Sequence, residues 1–127
     1  QASMRLPGRA SELLEQVVQA NNKTTVILNV GSPKELDPWL DDAGAVVAAW
    51  FGGQEAAAGL AEVLLGEGDG FTGRLPVTWP RRIDEGPTGK PPNARYPGEA
   101  AKVKYDEGLL IGYRWYDANG IEPAFQF

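Results

Sequence analysis

The sequence predicts an α/β layer built on a parallel sheet and followed by a long irregular segment. Two short runs, 24–30 and 45–51, are almost continuously apolar, which is typical of strands that are covered on both faces. Segments with helical patterning lie before, between and after these runs, and that order indicates a right-handed α/β arrangement. Glycine and proline crowd the second half of the chain, so we expect a regular layer over 1–66 and an irregular wrapping segment over 67–127.

The first helix is expected over 9–21 and the first strand over 24–30. The helix carries one apolar stripe at helical spacing, formed by Leu13, Leu14, Val17 and Val18. Asn21 and Asn22 are suited to end this helix, because asparagine tolerates the left-handed backbone conformation of a C-terminal cap. A Gly-Ser-Pro sequence over 31–33 then interrupts the strand.

A short helix, a second strand and a third helix are expected next. Residues 37–40 begin with an Asp-Pro pair that suits an N-cap and the first helical position. The second strand, 45–51, ends at a double glycine. An alanine-rich helix follows over 54–65, and Gly66 is placed to stop it.

The second half of the chain has little periodicity. Residues 75–79 are expected to be extended, although Pro76 restricts them to a sheet edge or a position outside the hydrogen-bonded ladder. Residues 80–104 show no sustained period. A loop of this length is uncommon in a compact small domain, which indicates that the domain does not stand alone.

Regular secondary structure is expected again over 106–120, where the sequence allows two interpretations. In one, a helix is capped by Asp106 and ends at Asn119 and Gly120. In the other, the same Asn-Gly pair is a hairpin turn after a strand. The helix is favoured because three large side chains share one helical face, namely Leu109, Tyr113 and Tyr116.

The composition excludes several classes of function. The chain has 127 residues and a net charge of −5, with 17 acidic and 12 basic residues, so neither a nucleic acid nor an anionic membrane is an expected partner. No apolar run approaches the roughly 20 residues of a membrane span. Histidine and cysteine are absent, which removes the commonest metal ligands and every Ser/His or Cys/His catalytic pair. No metal or cofactor is expected, and the cellular compartment stays open.

Binding loops in an open parallel sheet lie at the carboxyl ends of the strands, and the sequence offers two such loops. The double glycine lets the backbone approach a ligand closely, and the following helix offers free N–H groups. Glu55 in its first turn would repel phosphate, so a neutral polyol such as a sugar fits better. Turn geometry alone is the alternative explanation. The candidates for substrate-adjacent loops are Gly31, Ser32, Gly52, Gly53, Gln54 and Glu55.

Paired carboxylates are the catalytic apparatus that this composition permits, because glycoside hydrolysis uses two of them. The candidate acids are Glu55, Asp106 and Glu107, with Asp41, Asp42, Asp84 and Glu85 as weaker ones. Spacing alone selects no pair, and adjacent acids are usually solvated surface. Some aromatic side chains could stack on sugar faces, although packing is favoured for them: Trp39, Trp50, Trp79, Trp115, Tyr113 and Tyr116.

Five blocks of this sequence, in order, resemble glycoside hydrolase family 3, and in particular its β-glucosidases. They are Ser3-Met4-Arg5-Leu6-Pro7-Gly8, Thr25-Val26-Ile27-Leu28-Asn29-Val30-Gly31-Ser32-Pro33, Trp50-Phe51-Gly52-Gly53-Gln54-Glu55, Gly73-Arg74-Leu75-Pro76-Val77-Thr78-Trp79-Pro80, and Tyr105-Asp106-Glu107-Gly108-Leu109-Leu110-Ile111-Gly112-Tyr113-Arg114-Trp115-Tyr116-Asp117. One departure is Gly53 together with the preceding glycine, where members often have Pro-Gly.

The resemblance implies that 1–127 is the C-terminal portion of a three-layer (α/β)6-type sandwich domain. It implies a barrel domain, absent from this chain, that carries the nucleophilic Asp, and an acid/base Glu just upstream of Gln1. No catalytic residue of the family falls on a position present here. The implied activity is that of a retaining, exo-acting β-glucosidase without metal or cofactor. Its partners would be a β-glucoside or oligosaccharide and the remainder of the same enzyme.

Two other classes of function are set against this expectation. The chain could be a non-catalytic structural or sugar-binding module, which should unfold cooperatively and bind sugar by itself. A flavodoxin-like nucleotide-binding domain is disfavoured, because the glycine run Gly66, Gly68 and Gly70 follows a helix, whereas a dinucleotide loop follows a strand.

Overall fold

The computed structural model describes residues 3–89 and 92–127. Within these ranges the regular elements are, in chain order, α1 (Ala10–Ala20), β1 (Thr25–Leu28), a 3-10 turn (Leu40–Asp42), β2 (Ala45–Ala48), α2 (Ala56–Leu64) and α3 (Tyr113–Asn119). The two strands pair in parallel, with Thr25 opposite Ala45 and Leu28 opposite Ala48. The α/β class with a parallel sheet is therefore confirmed.

The described residues form two compact units. Among the described residues, unit one comprises 3–8, 33–37, 75–89 and 92–127, and unit two comprises Arg9–Ser32 and Pro38–Arg74. Unit two contains both strands together with α1 and α2. Its buried apolar side chains are Val18, Val26, Leu28 and Trp39, and those of unit one are Leu36, Trp79 and Tyr116.

Unit two covers less of its apolar surface than the sequence predicts. Burial alternates along β1, where Val26 and Leu28 are buried while Ile27 is 40% exposed. The expectation of a strand covered on both faces is therefore wrong for β1 within the described residues. Half of the α1 stripe is likewise open, since Leu13 and Val17 are exposed.

The predicted C-terminal end is confirmed for α2, whereas the cap conformation predicted for α1 is wrong. Gly66 stops α2 as predicted: its φ is +73°, its N–H donates to the Val63 carbonyl and the Glu67 N–H donates to the Glu62 carbonyl. Asn21 ends α1 in an extended conformation and not the expected left-handed one, because its side-chain Oδ1 accepts the Lys23 N–H.

The single turn of helix between the strands lies later than expected. It spans Leu40–Asp42 and follows a turn over 37–39, so the Asp-Pro pair begins a turn and does not cap a helix.

Unit one is irregular, as expected for 80–104, apart from residues 90 and 91, which lie outside the described residues. Trp79 and Phe125 exchange two backbone hydrogen bonds of 2.8 and 3.2 Å in an isolated antiparallel bridge. The predicted final helix is present as α3, and Gly120 ends it with a φ of +61°. It begins at Tyr113 and not at 106, since Gly108 and Gly112 both adopt positive φ.

Candidate functional site

The two predicted binding loops lie at one edge of the sheet. Because β1 and β2 are parallel and in register, their carboxyl ends coincide, and the Ala49 N–H extends the pairing by donating to the Leu28 carbonyl at 3.0 Å. Loop 29–32 leaves from the first strand end and loop 49–55 from the second. Both loops belong to unit two and leave the sheet at this edge.

The two loops are in contact through Gly31 of loop 29–32 and Phe51 of loop 49–55. A methyl group added at Gly31 would lie 2.7 Å from Phe51 Cε2, so the Phe51 ring lies directly against the Gly31 backbone. Phe51 is nevertheless 75% exposed. A flat aromatic surface therefore faces solvent at the strand ends, where it could stack on the apolar face of a sugar ring.

The double glycine has a separate steric reason at each position. A methyl group on Gly52 would lie 2.6 Å from the Ala56 Cβ atom, so a side chain there would collide with the first turn of α2. Gly53 has open space around it but a φ of +73°, which disfavours L side chains. After the two glycines only Gln54 and Glu55, both exposed, precede the first residue of α2.

Trp50 adopts a φ of +53°, a strained conformation for a bulky residue. Such strain persists where the surrounding structure imposes it, and it is common at binding sites. Sequence reasoning did not single out Phe51, and it named Trp50 among the side chains that could stack on a sugar but favoured packing for it. The adjacent aromatic pair before the double glycine was the signal that could have found them.

Glu55 is the ionisable residue among the six candidates. It precedes α2, makes no side-chain cap to that helix, and forms no ion pair within 3–89 and 92–127. In the same ranges no group of three or more acidic side chains is arranged to hold a metal ion.

Four of the other candidate acids, Asp84, Glu85, Asp106 and Glu107, have ion-pair partners in unit one, whereas Asp41 and Asp42 lie in unit two and form no ion pair within the described residues. Arg95 pairs with Asp106 through Nε, and the same nitrogen lies 3.8 Å from the Glu107 Oε2 atom. The hydrogen bond from Arg95 lowers the pKa of Asp106, which is the opposite of what a general acid needs. Asp106 does not cap a helix, because α3 begins only at Tyr113. That the chain contains no catalytic residue stays a prediction.

Arg95 is fixed by two further contacts. Its Nη1 donates to the Pro87 carbonyl at 2.7 Å, and its guanidinium lies 5.3 Å from the centre of the Trp115 ring. Trp115 in turn donates its Nε1–H to the Glu85 carbonyl at 2.9 Å. We call this group, formed by Arg95, Asp106, Glu107 and Trp115, the Arg95 clamp. It ties α3, through Trp115, to segments that have no regular secondary structure.

Packing is confirmed for half of the aromatic candidates, since Trp39, Trp79 and Tyr116 are at most 5% exposed. Tyr113 stacks on Phe127 with ring centres 5.9 Å apart. A cavity of about 500 Å³ in unit one is lined by aromatic and polar side chains, including Tyr113, Tyr116, Asp117 and Glu122. None of the six predicted loop residues lines it.

Tyr116 should ionise late in an alkaline titration. Burial, with a smaller contribution from Glu85, raises the pKa of Tyr116 to about 12, whereas an ordinary tyrosine ionises near 10. The neutral phenol therefore favours the folded state fully below pH 10, and this contribution is lost as the pH rises from about 10 to about 12. Tyrosinate absorbance should show a late step that Tyr116→Phe removes. Titration of all four tyrosines together near pH 10 would contradict this.

The chain belongs to glycoside hydrolase family 3, because the sequence model of the Glycosyl hydrolase family 3 C-terminal domain matches residues 1–113. It is 42% identical over 124 residues to a β-glucosidase of Rhizobium radiobacter, covering 98% of this chain and 15% of that protein. It is 40% identical to thermostable β-glucosidase B of Acetivibrio thermocellus, covering 98% of this chain and 16% of the relative.

Solved structures agree with the family assignment. The fold superimposes with a TM-score of 0.91 on the β-glucosidase of Kluyveromyces marxianus in complex with glucose, at 35% identity, covering all of this chain and 15% of that one. A β-glucosidase of Streptomyces venezuelae in complex with D-glucose superimposes with a TM-score of 0.89 at 32% identity, covering 100% of this chain and 16% of that one. The chain thus spans about 15% of the length of the relatives that it matches. No helix within the described ranges has the length and apolar character of a membrane span.

Proposed function

We propose that this chain is part of a longer, retaining, exo-acting β-glucosidase that releases terminal non-reducing β-D-glucosyl residues. The observation that carries the proposal is the agreement over the whole chain, in sequence and in backbone, with β-glucosidases that include one solved with glucose. Retention would proceed in two steps through a glycosyl-enzyme intermediate, with one carboxylate as nucleophile and another as acid/base. Both would be supplied by the rest of the enzyme.

In this proposal the segment has two roles. It completes the α/β sandwich domain that presents the acid/base residue, with 67–127 wrapping against other parts of the enzyme. Its strand-end loops, with exposed Phe51 beside Gly31, wall the substrate site. The close backbone packing at Gly31 and Gly52 supports this second role, because it leaves the loops little freedom to move away from a ligand.

The open surfaces of unit two support the first role. Ile27 on β1 and Leu13 on α1 face solvent in this chain, and α2 contains no buried residue. Apolar faces of this kind are ordinarily covered in a parallel sheet with helices on both sides. The barrel and the remaining strands of the sandwich would supply that cover.

The longer enzyme should hydrolyse an aryl β-glucoside, and the 127-residue chain alone should not. The reason is that both catalytic carboxylates are expected outside this chain. Nuclear magnetic resonance of the sugar anomers during hydrolysis should show β-glucose as the first product, which is the signature of retention. Initial formation of α-glucose would disprove the retaining mechanism. Appreciable turnover by the purified 127-residue chain would disprove the location of the catalytic groups.

The second candidate is a non-catalytic sugar-binding or structural module. It is favoured by the fact that the six loop residues include a single ionisable side chain, Glu55. Calorimetric titration of glucose or cellobiose into the 127-residue chain separates the two proposals. Cooperative unfolding together with saturable sugar binding by this chain alone would favour the module.

A further inference from the structure

An exposed apolar stretch lies in unit one, outside the strand-end loops. Five large apolar side chains between 103 and 111 are exposed to solvent, and we call them the apolar strip: Val103, Tyr105, Leu109, Leu110 and Ile111. Tyr105 is 79% exposed and Leu109 is 83% exposed, close to the values of an unfolded chain. Apolar side chains concentrated in this way on a protein surface mark a contact with another surface.

The charges of this stretch are engaged within the chain. Two of its three charged residues, Asp106 and Glu107, face Arg95 and belong to the Arg95 clamp. The Glu107 side chain is only 10% exposed, whereas that of Asp106 is 58% exposed, so the strip presents its apolar side chains together with Asp106, paired to Arg95, and Lys104. A net charge of −5 for the whole chain also disfavours a polyanion as the partner.

The strip is held in place in the absence of a partner. The Lys104 N–H donates to the Ala94 carbonyl at 2.9 Å, and the Leu110 N–H donates to the Glu107 carbonyl at 3.1 Å. Gly108 turns the chain between them with a φ of +60°. A surface fixed in this way loses little conformational freedom when it is covered, which favours a permanent contact.

We propose that the apolar strip is the surface through which unit one packs on the remainder of its own polypeptide. The inference rests on the proposed function, in which this chain is part of a longer enzyme. The length of chain outside the structure points to this occupant, since the matched relatives are more than six times as long as the segment they share with it. A second copy of the chain is the competing occupant.

Cysteine labelling of the longer enzyme tests the proposal. Leu109→Cys and Lys102→Cys place a thiol at two positions that are both exposed in this chain. Neither residue has a neighbouring native cysteine within the 127 residues. In the native enzyme we expect a maleimide to modify Leu109→Cys at least roughly tenfold more slowly than Lys102→Cys, because covered sites react only on local opening. In denaturant the two rates should be equal. Mass spectrometry of the labelled peptides gives the rates.

Equal rates in the native enzyme would overturn the proposal. Loss of the protection on hundredfold dilution would also overturn it, because a second copy would then be the cover. If Leu109→Cys does not fold, Tyr105→Cys repeats the measurement at a second exposed position. In addition, Leu109→Ser should lower the midpoint of thermal denaturation of the enzyme by at least about 2 °C, whereas Leu109→Met should not.

These outcomes are independent of the proposed activity. Free labelling of the strip in an enzyme that hydrolyses an aryl β-glucoside would remove the contact surface and leave the function intact. Protection of the strip in an enzyme without that activity would support the contact surface and contradict the proposed function.

Discussion

Trp79→Ala is expected to destabilise the protein by about 3–5 kcal/mol, the usual cost of removing a buried tryptophan. Trp79 is 2% exposed, and it is one of three buried apolar side chains that unit one has among its described residues. Its indole Nε1–H also donates to the Lys34 carbonyl at 2.8 Å, and its backbone bridges to Phe125. The substitution therefore leaves a cavity and an unpaired carbonyl in a unit with few other anchors. Urea unfolding followed by far-ultraviolet circular dichroism measures the loss.

A pair of phenylalanine variants separates the hydrogen bond from the packing. Trp79→Phe removes the bond to Lys34, whereas the Trp39 indole N–H is buried without a hydrogen-bond partner in the described structure. Both tryptophans are fully buried, so the loss of volume is matched. We expect Trp79→Phe to cost about 1–3 kcal/mol more than Trp39→Phe. Equal costs would show that the Lys34 bond contributes nothing to stability.

Gly98→Ala is expected to destabilise unit one by roughly 3 kcal/mol, from overpacking and an unfavourable φ acting together. The φ of Gly98 is +99°, and a methyl group there would overlap the carbonyl oxygen of Lys102. That oxygen cannot easily move, because it accepts the Glu99 N–H at 2.9 Å while the Lys102 N–H donates back to Glu99. Urea unfolding of the variant measures the effect.

Gly66→Ala is the matched control for Gly98→Ala. Gly66 also has a positive φ, +73°, but nothing lies within 4 Å of the position that a methyl group would take. Its substitution should cost only the conformational strain, about 1–2 kcal/mol. If Gly98→Ala costs no more than Gly66→Ala, the backbone around Lys102 shifts to accommodate the methyl group, and overpacking does not contribute to the cost.

The elements of unit two could be predicted from the sequence because local signals set them. The apolar runs placed β1 and β2 to within a few residues, and Gly66 ended α2 by its own conformational freedom. Some failures were local, since Gly108 and Gly112 keep the helix from beginning at Asp106. Others depended on distant residues: Arg95, eleven positions earlier, holds Asp106, and no local spacing reveals that pairing. The exposure of Ile27 likewise depends on what lies outside its own segment.

The candidate site was predicted in the same partial way. Topology alone placed Gly31 and Gly52 at one edge, since parallel strands bring their carboxyl ends together. The contact of the Phe51 ring with Gly31 and the positive φ of Trp50 depend on the three-dimensional path of two loops. The residue types alone predict neither this contact nor this backbone conformation.

The exposure of α2 has a consequence for how the protein is made. A nine-residue helix is shorter than the roughly 12–15 residues that an isolated helix needs to be even marginally stable in water, and α2 contains no buried residue to compensate. In the proposed longer enzyme, its helical state would be stabilised by the surface that docks against it. On the ribosome this alanine-rich stretch would emerge as a fluctuating coil, open to proteases and chaperones until the rest of its binding surface has been synthesised.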